Sequence, residues 1–285
     1  MVVVFPENWR PFSFDASRKQ ELIDEVRNLK VTNPEVQCLR ILVHGPVGVG
    51  KSSFINSIES IFRGRMAQGA LADAMSGTSF TKKFHSQKFR DVKTGKFLPF
   101  VISDIMGLEN TATAGAHVDD LMIALEGHLK DGFFFNPVGP VQKENPNYNS
   151  CPTLPDKVHC LVSILPADKI AMMENEQVQD VICKLREIRQ KATDLRIPQV
   201  IVMTMVDKAC PEVQKKLNMI YRSKNIKRKM QECTNKLGVP MNCVFPVKNY
   251  HEEIELQNDI DILLLSALKN ILNFANDHVE EKANY

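Results

Sequence analysis

The chain has 285 residues, 44% of them apolar and 25% charged, the balance of a globular protein with one large or two small domains. A net charge of +2 gives no polyanion-binding signal over the chain as a whole, so no nucleic-acid partner is expected. Seven scattered cysteines, odd in number and never spaced C-x-x-C, argue against a disulfide framework or a zinc site and for reduced thiols in the cytosol.

The first residues lack a basic n-region and are too short for a signal-peptide core. No apolar stretch approaches the roughly 20 residues of a membrane span, so a cytoplasmic protein without a transmembrane segment is expected. Residues 1–36 read as an N-terminal extension with one helix. There Ser17-x-x-Gln20 suits a capping box, and Leu22, Val26 and Leu29 fall on one helical face.

An apolar run over 39–44 predicts a buried strand. Gly45-Pro46-Val47-Gly48-Val49-Gly50-Lys51-Ser52 follows and matches G-x-x-x-x-G-K-S at every fixed position, with a helix expected from about 51 to 62. In that strand–loop–helix context the backbone N–H groups and the helix N-terminus converge on one point, where a polyphosphate sits. Lys51 would reach the β- and γ-phosphates, and Ser52 would give its hydroxyl to Mg²⁺. Gly45, Val47, Gly48, Val49, Gly50 and Ser53 complete the expected phosphate-binding set.

The Gly- and Ala-rich stretch 64–77 reads as a mobile segment. Just beyond it a threonine should sense the γ-phosphate and Mg²⁺. Thr78 and Thr81 are both candidates, with Thr78 preferred. An edge strand over 82–91, a hairpin turn at 93–96 and an apolar strand over 97–103 come next. Asp104-Ile105-Met106-Gly107 at that strand's end forms a D-x-x-G. It would let Asp104 bind Mg²⁺ through the ion's water shell and let the Gly107 amide meet the γ-phosphate. The expected metal set is Ser52, Thr78 and Asp104.

Ras-like enzymes place a Gln directly after this motif to position the attacking water. Here Leu108 cannot hydrogen-bond, and the charge of Glu109 would repel phosphate. Val47 would crowd the space over the γ-phosphate and obstruct an arginine finger. Arg63 and Arg65 read as surface charges. Slow or assisted hydrolysis is expected, with no catalytic residue identified.

A helix over about 116–130 follows from the spacing of Val118, Leu121, Met122, Leu125 and Leu129. Residues 131–157, rich in Pro, Asn and Gly, read as an irregular insertion. A strand over 158–165, a helix over 174–194 and a strand over 200–205 come after it. The last ends in Thr204-Met205-Val206-Asp207, where guanine-nucleotide proteins carry N/T-K-x-D. One carboxylate there accepts both N1–H and N2–H of guanine, a donor pair that adenine lacks. Asp207 is the candidate base reader. Thr204 and Met205 depart from the commonest Asn-Lys, and Met205 and Lys208 could pack on the base face. A basic helical region at 212–237 has seven cations and no acid between 215 and 229 and reads as a solvated face. A strand over 241–247 leads to Val247-Lys248-Asn249, in the place of a second base-contacting loop, and to a last helix from about 258 to 278.

This order predicts an α/β, three-layer P-loop GTPase-like domain over 37–285, with a mostly parallel six-stranded sheet and helices on both faces. The expected cofactors are GTP or GDP with Mg²⁺.

With these residues in place, the chain resembles the interferon-induced protein 44 and 44-like family. The matching features are Arg40-Ile41-Leu42-Val43 with the phosphate loop and Ser53-Phe54, Phe62-Arg63-Gly64, Leu98-Pro99-Phe100, and Asp104-x-x-Gly107-Leu108. Phe135-Asn136-Pro137, Leu237-Gly238 and Ile262-Leu263-x-Leu265-Ser266-Ala267-Leu268 also match. The resemblance implies a guanine-nucleotide-binding domain in an interferon-inducible, cytoplasmic protein of innate immunity and antiviral defence. Members often carry a further N-terminal TLDc-type domain, for which this sequence has no room, which implies a short member or an isolated domain. Three functional readings stay open. One is a GTP-binding switch or scaffold with weak hydrolysis. Another is a GTPase activated by self-association, as a homodimer through the nucleotide face. The third is a protein-interaction module with a decayed site. Protein partners of unknown identity are expected.

Overall fold

The computed structural model describes residues 4–67, 83–105, 107–108, 117–135, 141–170 and 176–283. Strand β1 (Leu39–His44) is buried along almost its whole length, as a strand flanked by neighbours and covered on both faces must be. It is joined by β2 (His85–Arg90), β3 (Phe97–Asp104), β4 (Cys160–Pro166), β5 (Gln199–Thr204) and β6 (Val244–Pro246) in the order β2-β3-β1-β4-β5-β6. All pairs are parallel except β2 with β3, which are antiparallel and joined by a short hairpin. The polar β2 closes one edge, and only Phe89 on it is buried.

Among the described residues the longer helices are α1 (Ala16–Arg27), α2 (Lys51–Arg63), α3 (Val118–Leu125), α4 (Glu176–Asp194), α5 (Lys224–Leu237) and α6 (Asn258–Ala283). Right-handed crossovers that run outward from β1 in opposite directions put their helices on opposite faces of the sheet. On one face α1 and α2 pack against α6; α3 packs against α4. The architecture is therefore the expected three-layer α/β fold. Leu22, Ile23 and Val26 of α1 belong to the same apolar cluster as Leu264, Leu268 and Ile271 of α6. Arg27 further ties α1 to the β2–β3 hairpin, with its guanidinium 2.9 and 3.0 Å from the two carboxylate oxygens of buried Asp91.

Several boundaries differ from the sequence expectation, each for a local reason. The Ser17 and Gln20 capping box does not form, because α1 starts at Ala16 with Asp15 at its N-cap. Gln20 instead donates to Asp24 at 2.9 Å. The sixth strand is short, since Met241–Cys243 forms a 3-10 turn. Pro246 ends it, having no N–H to offer the ladder. Arg10 covers the outer edge of this strand, donating to the carbonyls of Val244 at 2.9 Å and Met241 at 2.6 Å. The basic region divides into a short α-helix at Pro211–Lys215, a 3-10 turn at Leu217–Met219, and α5, which Ser223 caps. It is no uniformly solvated face: Lys229 is buried, and Lys224 and Lys227 lie 5.4 and 5.1 Å from the Phe5 ring.

Candidate nucleotide site

Strand order reverses at β1, with β3 on one side and β4 on the other. The crevice beyond the C-terminal ends of such strands is where open α/β sheets bind ligands. The phosphate loop leaves β1 into that crevice. Gly45 passes so close to β4 that a Cβ on it would lie 2.3 Å from the carbonyl oxygen of Ile164. Val49 is buried and anchors the far side of the loop. Gly48 and Val47 are exposed at its tip, Gly50 takes the left-handed conformation before α2, and Ser53 lies on the exposed side of α2.

Lys51 is only 7% exposed, and its Nζ donates to the carbonyls of Gly45 at 3.2 Å and Pro46 at 3.0 Å. Burial lowers its pKa, and the Asp104 carboxylate acts against that shift. Ser52 Oγ donates to Asp104 Oδ2 at 2.7 Å. Residues from α2 and the end of β3 thus converge at one point, helped by the register that sets Val43 beside Asp104. The donor chemistry fits the expected ligands. A hydroxyl and a carboxylate are the hard oxygens that Mg²⁺ takes, and a buried cation at a helix N-terminus suits phosphate. His44, just before the loop, is buried beside Lys51. Burial chiefly, with the Lys51 charge second, pushes its pKa down to about 3, so it is neutral and bonds Ser163 at 2.7 Å.

Gly107 and Leu108 fold back onto the phosphate loop. The Leu108 N–H donates to Gly45 O at 3.1 Å, and the Val47 N–H donates to Leu108 O at 3.3 Å. The two segments form an isolated parallel bridge between Pro46 and Leu108. Val47 lies so tightly on Gly107 that a Cβ there would be 2.6 Å from Val47 Cγ2 and 3.0 Å from Lys51 Nζ. Leu108 is buried, so an apolar group fills the position where a water-orienting side chain would act. Arg63 is paired with Glu59 on its own helix. Thr78, Thr81, Met106 and Glu109 lie outside the described residues.

Beside the phosphate loop, Thr204 Oγ1 donates to Val49 O at 2.7 Å. Its hydroxyl braces the phosphate loop from the end of β5. Met205 takes a left-handed backbone with φ 56° and starts the turn Val206–Ala209 that carries Asp207. Asp207 and Lys248 line one cleft together with Lys215, Gln257 and Asp259. Lys208 is exposed. The Lys248 ammonium is held by Glu253 at 2.6 Å. Burial would raise the Glu253 carboxyl, but Lys248 and the His251 N–H hold it at about 2.

The sequence offered Val247-Lys248-Asn249 as a candidate base-contacting loop, and it did not show which side chains fix this segment. Asn249 Nδ2 donates to Gly50 O at 3.0 Å, and the Tyr250 N–H donates to Ser57 Oγ at 3.0 Å. The only signal in the sequence was the polar pair following the end of β6.

The fold and this loop define a P-loop α/β domain of the GTPase-like class. No family model matches the chain. Its sequence is 32% identical over 263 residues to interferon-induced protein 44 of Homo sapiens and of Pan troglodytes, covering 92% of this chain and 58% of each relative. It is 31% identical over 263 residues to interferon-induced protein 44-like of Homo sapiens, covering 92% of this chain and 57% of that one. The chain belongs to the interferon-induced protein 44 and 44-like family, and it spans 58% of the length of the first of these relatives. Similar solved structures include Toc33 from Arabidopsis thaliana in complex with Mg²⁺ and GMPPNP, at 15% identity and a TM-score of 0.47, covering 92% of this chain and 93% of that one. A probable GTP-binding protein, engB, is 14% identical with a TM-score of 0.45, covering 84% of this chain and 98% of that one.

Among the described residues, no helix is long and apolar enough to cross a membrane.

Proposed function

We propose that the chain is a guanine-nucleotide-binding switch or scaffold of the cytoplasmic, interferon-induced antiviral response, with slow or assisted GTP hydrolysis. The observation that carries this reading is the convergence of Lys51, Ser52 and Asp104 at the switch point of the sheet. Lys51 and the loop amides would hold the β- and γ-phosphates. Ser52 and Asp104 would hold Mg²⁺, which would screen the phosphate charge when bound. Asp207 would accept from guanine, with Thr204 keeping its turn in step with the phosphate loop. The interferon-induced setting is taken from the names of the relatives.

Slow hydrolysis is supported by two neighbours of the γ-phosphate position. Leu108 has no group to orient water, and Val47 occupies the approach above Gly107. Titration of the purified chain with GTP, GDP, a non-hydrolysable GTP analogue and ATP, with and without Mg²⁺, tests the reading. Magnesium-dependent binding of both guanine nucleotides in preference to ATP is expected. No binding of any of them at millimolar concentration would overturn it.

A further inference from the structure

Asp261 lies in the first turn of α6 and is completely buried. Its Oδ1 accepts from the Tyr250 hydroxyl at 2.6 Å, and its Oδ2 is 2.7 Å from the Nζ of Lys19 on α1. The same Tyr250 hydroxyl accepts the Gln257 N–H at 2.7 Å. The backbone of Tyr250 is tied to Ser57 of α2, and Asn249 is tied to Gly50 of the phosphate loop. Residues 248–250 are therefore held from two sides. The phosphate loop and α2 hold one side, and a buried carboxylate holds the other.

We propose that Asp261 is a positioning residue for the base loop at 248–250, and that Lys19, by neutralising it, makes the N-terminal helix a working part of the nucleotide site. This rests on the reading of 248–250 as a loop that meets the base. Such a loop acts largely through its backbone, so its contribution depends on where it is held. A carboxylate taken wholly out of water is tolerated only when paired and hydrogen-bonded. Lys19 is the cation facing it from α1, while Lys248 and Glu253 on the loop side are occupied with each other. Without Lys19, Asp261 must take up a proton or turn toward water. Either change alters its bond to Tyr250 and frees the loop. Both GDP and GTP meet the same base loop, so both should weaken by the same factor.

The experiment compares wild type with Lys19→Met, Lys19→Arg, Asp261→Asn and the double variant Lys19→Met/Asp261→Asn. It reads GDP and GTP-analogue affinity by calorimetry, and amide exchange of 248–250 in nucleotide-free protein. Lys19→Met should weaken both nucleotides by at least about tenfold and speed exchange of these amides. Lys19→Arg should keep wild-type behaviour. The double variant should recover most of the loss, because the amide that replaces the carboxylate still accepts from Tyr250 and no buried charge remains. Unchanged affinity and exchange in Lys19→Met would overturn the proposal, as would a double variant no better than Lys19→Met. If wild type binds no nucleotide, the nucleotide reading fails. Exchange then decides alone: faster exchange in Lys19→Met supports the pinning of the loop, and unchanged exchange overturns it. Should Lys19→Met not fold, Tyr250→Phe removes only the hydroxyl. A several-fold weakening of both nucleotides with faster exchange supports the proposal, and unchanged values overturn it.

Discussion

The Ser52 hydroxyl donates to the Asp104 carboxylate at 2.7 Å, joining the first turn of α2 to the end of β3. In this arrangement each group occupies the other. A divalent ion would take oxygen lone pairs from both and replace that bond. Asp104→Asn keeps the size and the acceptor oxygen but removes the charge. It should therefore lower the Mg²⁺ dependence of nucleotide affinity, not merely the affinity. Titrations over a range of Mg²⁺ concentrations will read the difference. An undiminished Mg²⁺ dependence in Asp104→Asn would remove this carboxylate from the metal set.

Lys51→Ala deletes a buried cation whose partners in the structure are two loop carbonyls. The Gly45 carbonyl keeps its bond from the Leu108 N–H and Pro46 is partly exposed, so the fold should survive, as circular dichroism and melting temperature will report. Nucleotide affinity should fall by about a hundredfold or more, since charge-assisted contacts to two phosphate groups are lost. Equal affinity in the variant would refute the phosphate-loop reading.

Asp207, the proposed base reader, gives a sharper test. Asp207→Asn should cost about 1–3 kcal/mol for GTP, or roughly 5- to 150-fold, by removing one charge-assisted contact to two donors. ATP, which lacks the donor pair, should be almost unaffected. Competition between the two nucleotides checks both halves of the prediction. ATP competing with wild type as well as GTP does would reduce 204–207 to a strand-end turn.

What could be read in the sequence was what is encoded locally. The phosphate loop, D-x-x-G and the apolar runs of β1, β3, β4 and β5 each state their structure within a few residues, and they sufficed for the fold class. The partners that complete the site are far apart in the chain. Thr204 reaches Val49 across 155 positions, and Asn249 reaches Gly50 across 199. Nothing local says that Thr204 faces the phosphate loop, or that Asp261 will be buried under Tyr250. β6 was overestimated because Met241–Val247 is apolar throughout most of its length, while its pairing is limited by the turn before it and by Pro246. Leu108 was read only for what it lacks. The structure adds that it is a core residue bridging to Pro46.

Arg27 and Asp91 make a pH-dependent contribution to stability. The Arg27 guanidinium, first among the causes, holds the Asp91 carboxyl down from 3.8 to about 2. A carboxyl whose pKa is depressed by folding stabilises the fold above its unfolded value, and that stabilisation fades as pH falls from about 4 toward 2. The shift corresponds to about 2–3 kcal/mol in total. Asp91→Asn should therefore lower stability at pH 7 by about 2–3 kcal/mol, because Arg27 loses its buried counter-charge and keeps the exposed Asp24. The gap between variant and wild type should narrow below pH 4. Urea unfolding at several pH values will show whether it does.

Hydrolysis is where Val47 and Leu108, the two neighbours of the proposed γ-phosphate position, separate. Val47 is 41% exposed and presses on Gly107, so Val47→Gly removes crowding without opening the core. Turnover should rise, and affinity for a GTP analogue should rise relative to GDP. Leu108→Ala removes no polar function, so turnover per folded molecule should barely change. Its stability should fall by about 2–4 kcal/mol, because the side chain is fully buried and leaves a cavity. Wild-type turnover should lie far below the roughly 1–100 s⁻¹ of kinases and nearer the unassisted rates of Ras-like proteins. Single-turnover measurements at several protein concentrations will test the three statements on turnover, with analogue titration and urea unfolding for the other two. A fast rate independent of concentration would refute slow hydrolysis. A rate climbing with concentration would mean that a second copy supplies the missing group across an interface.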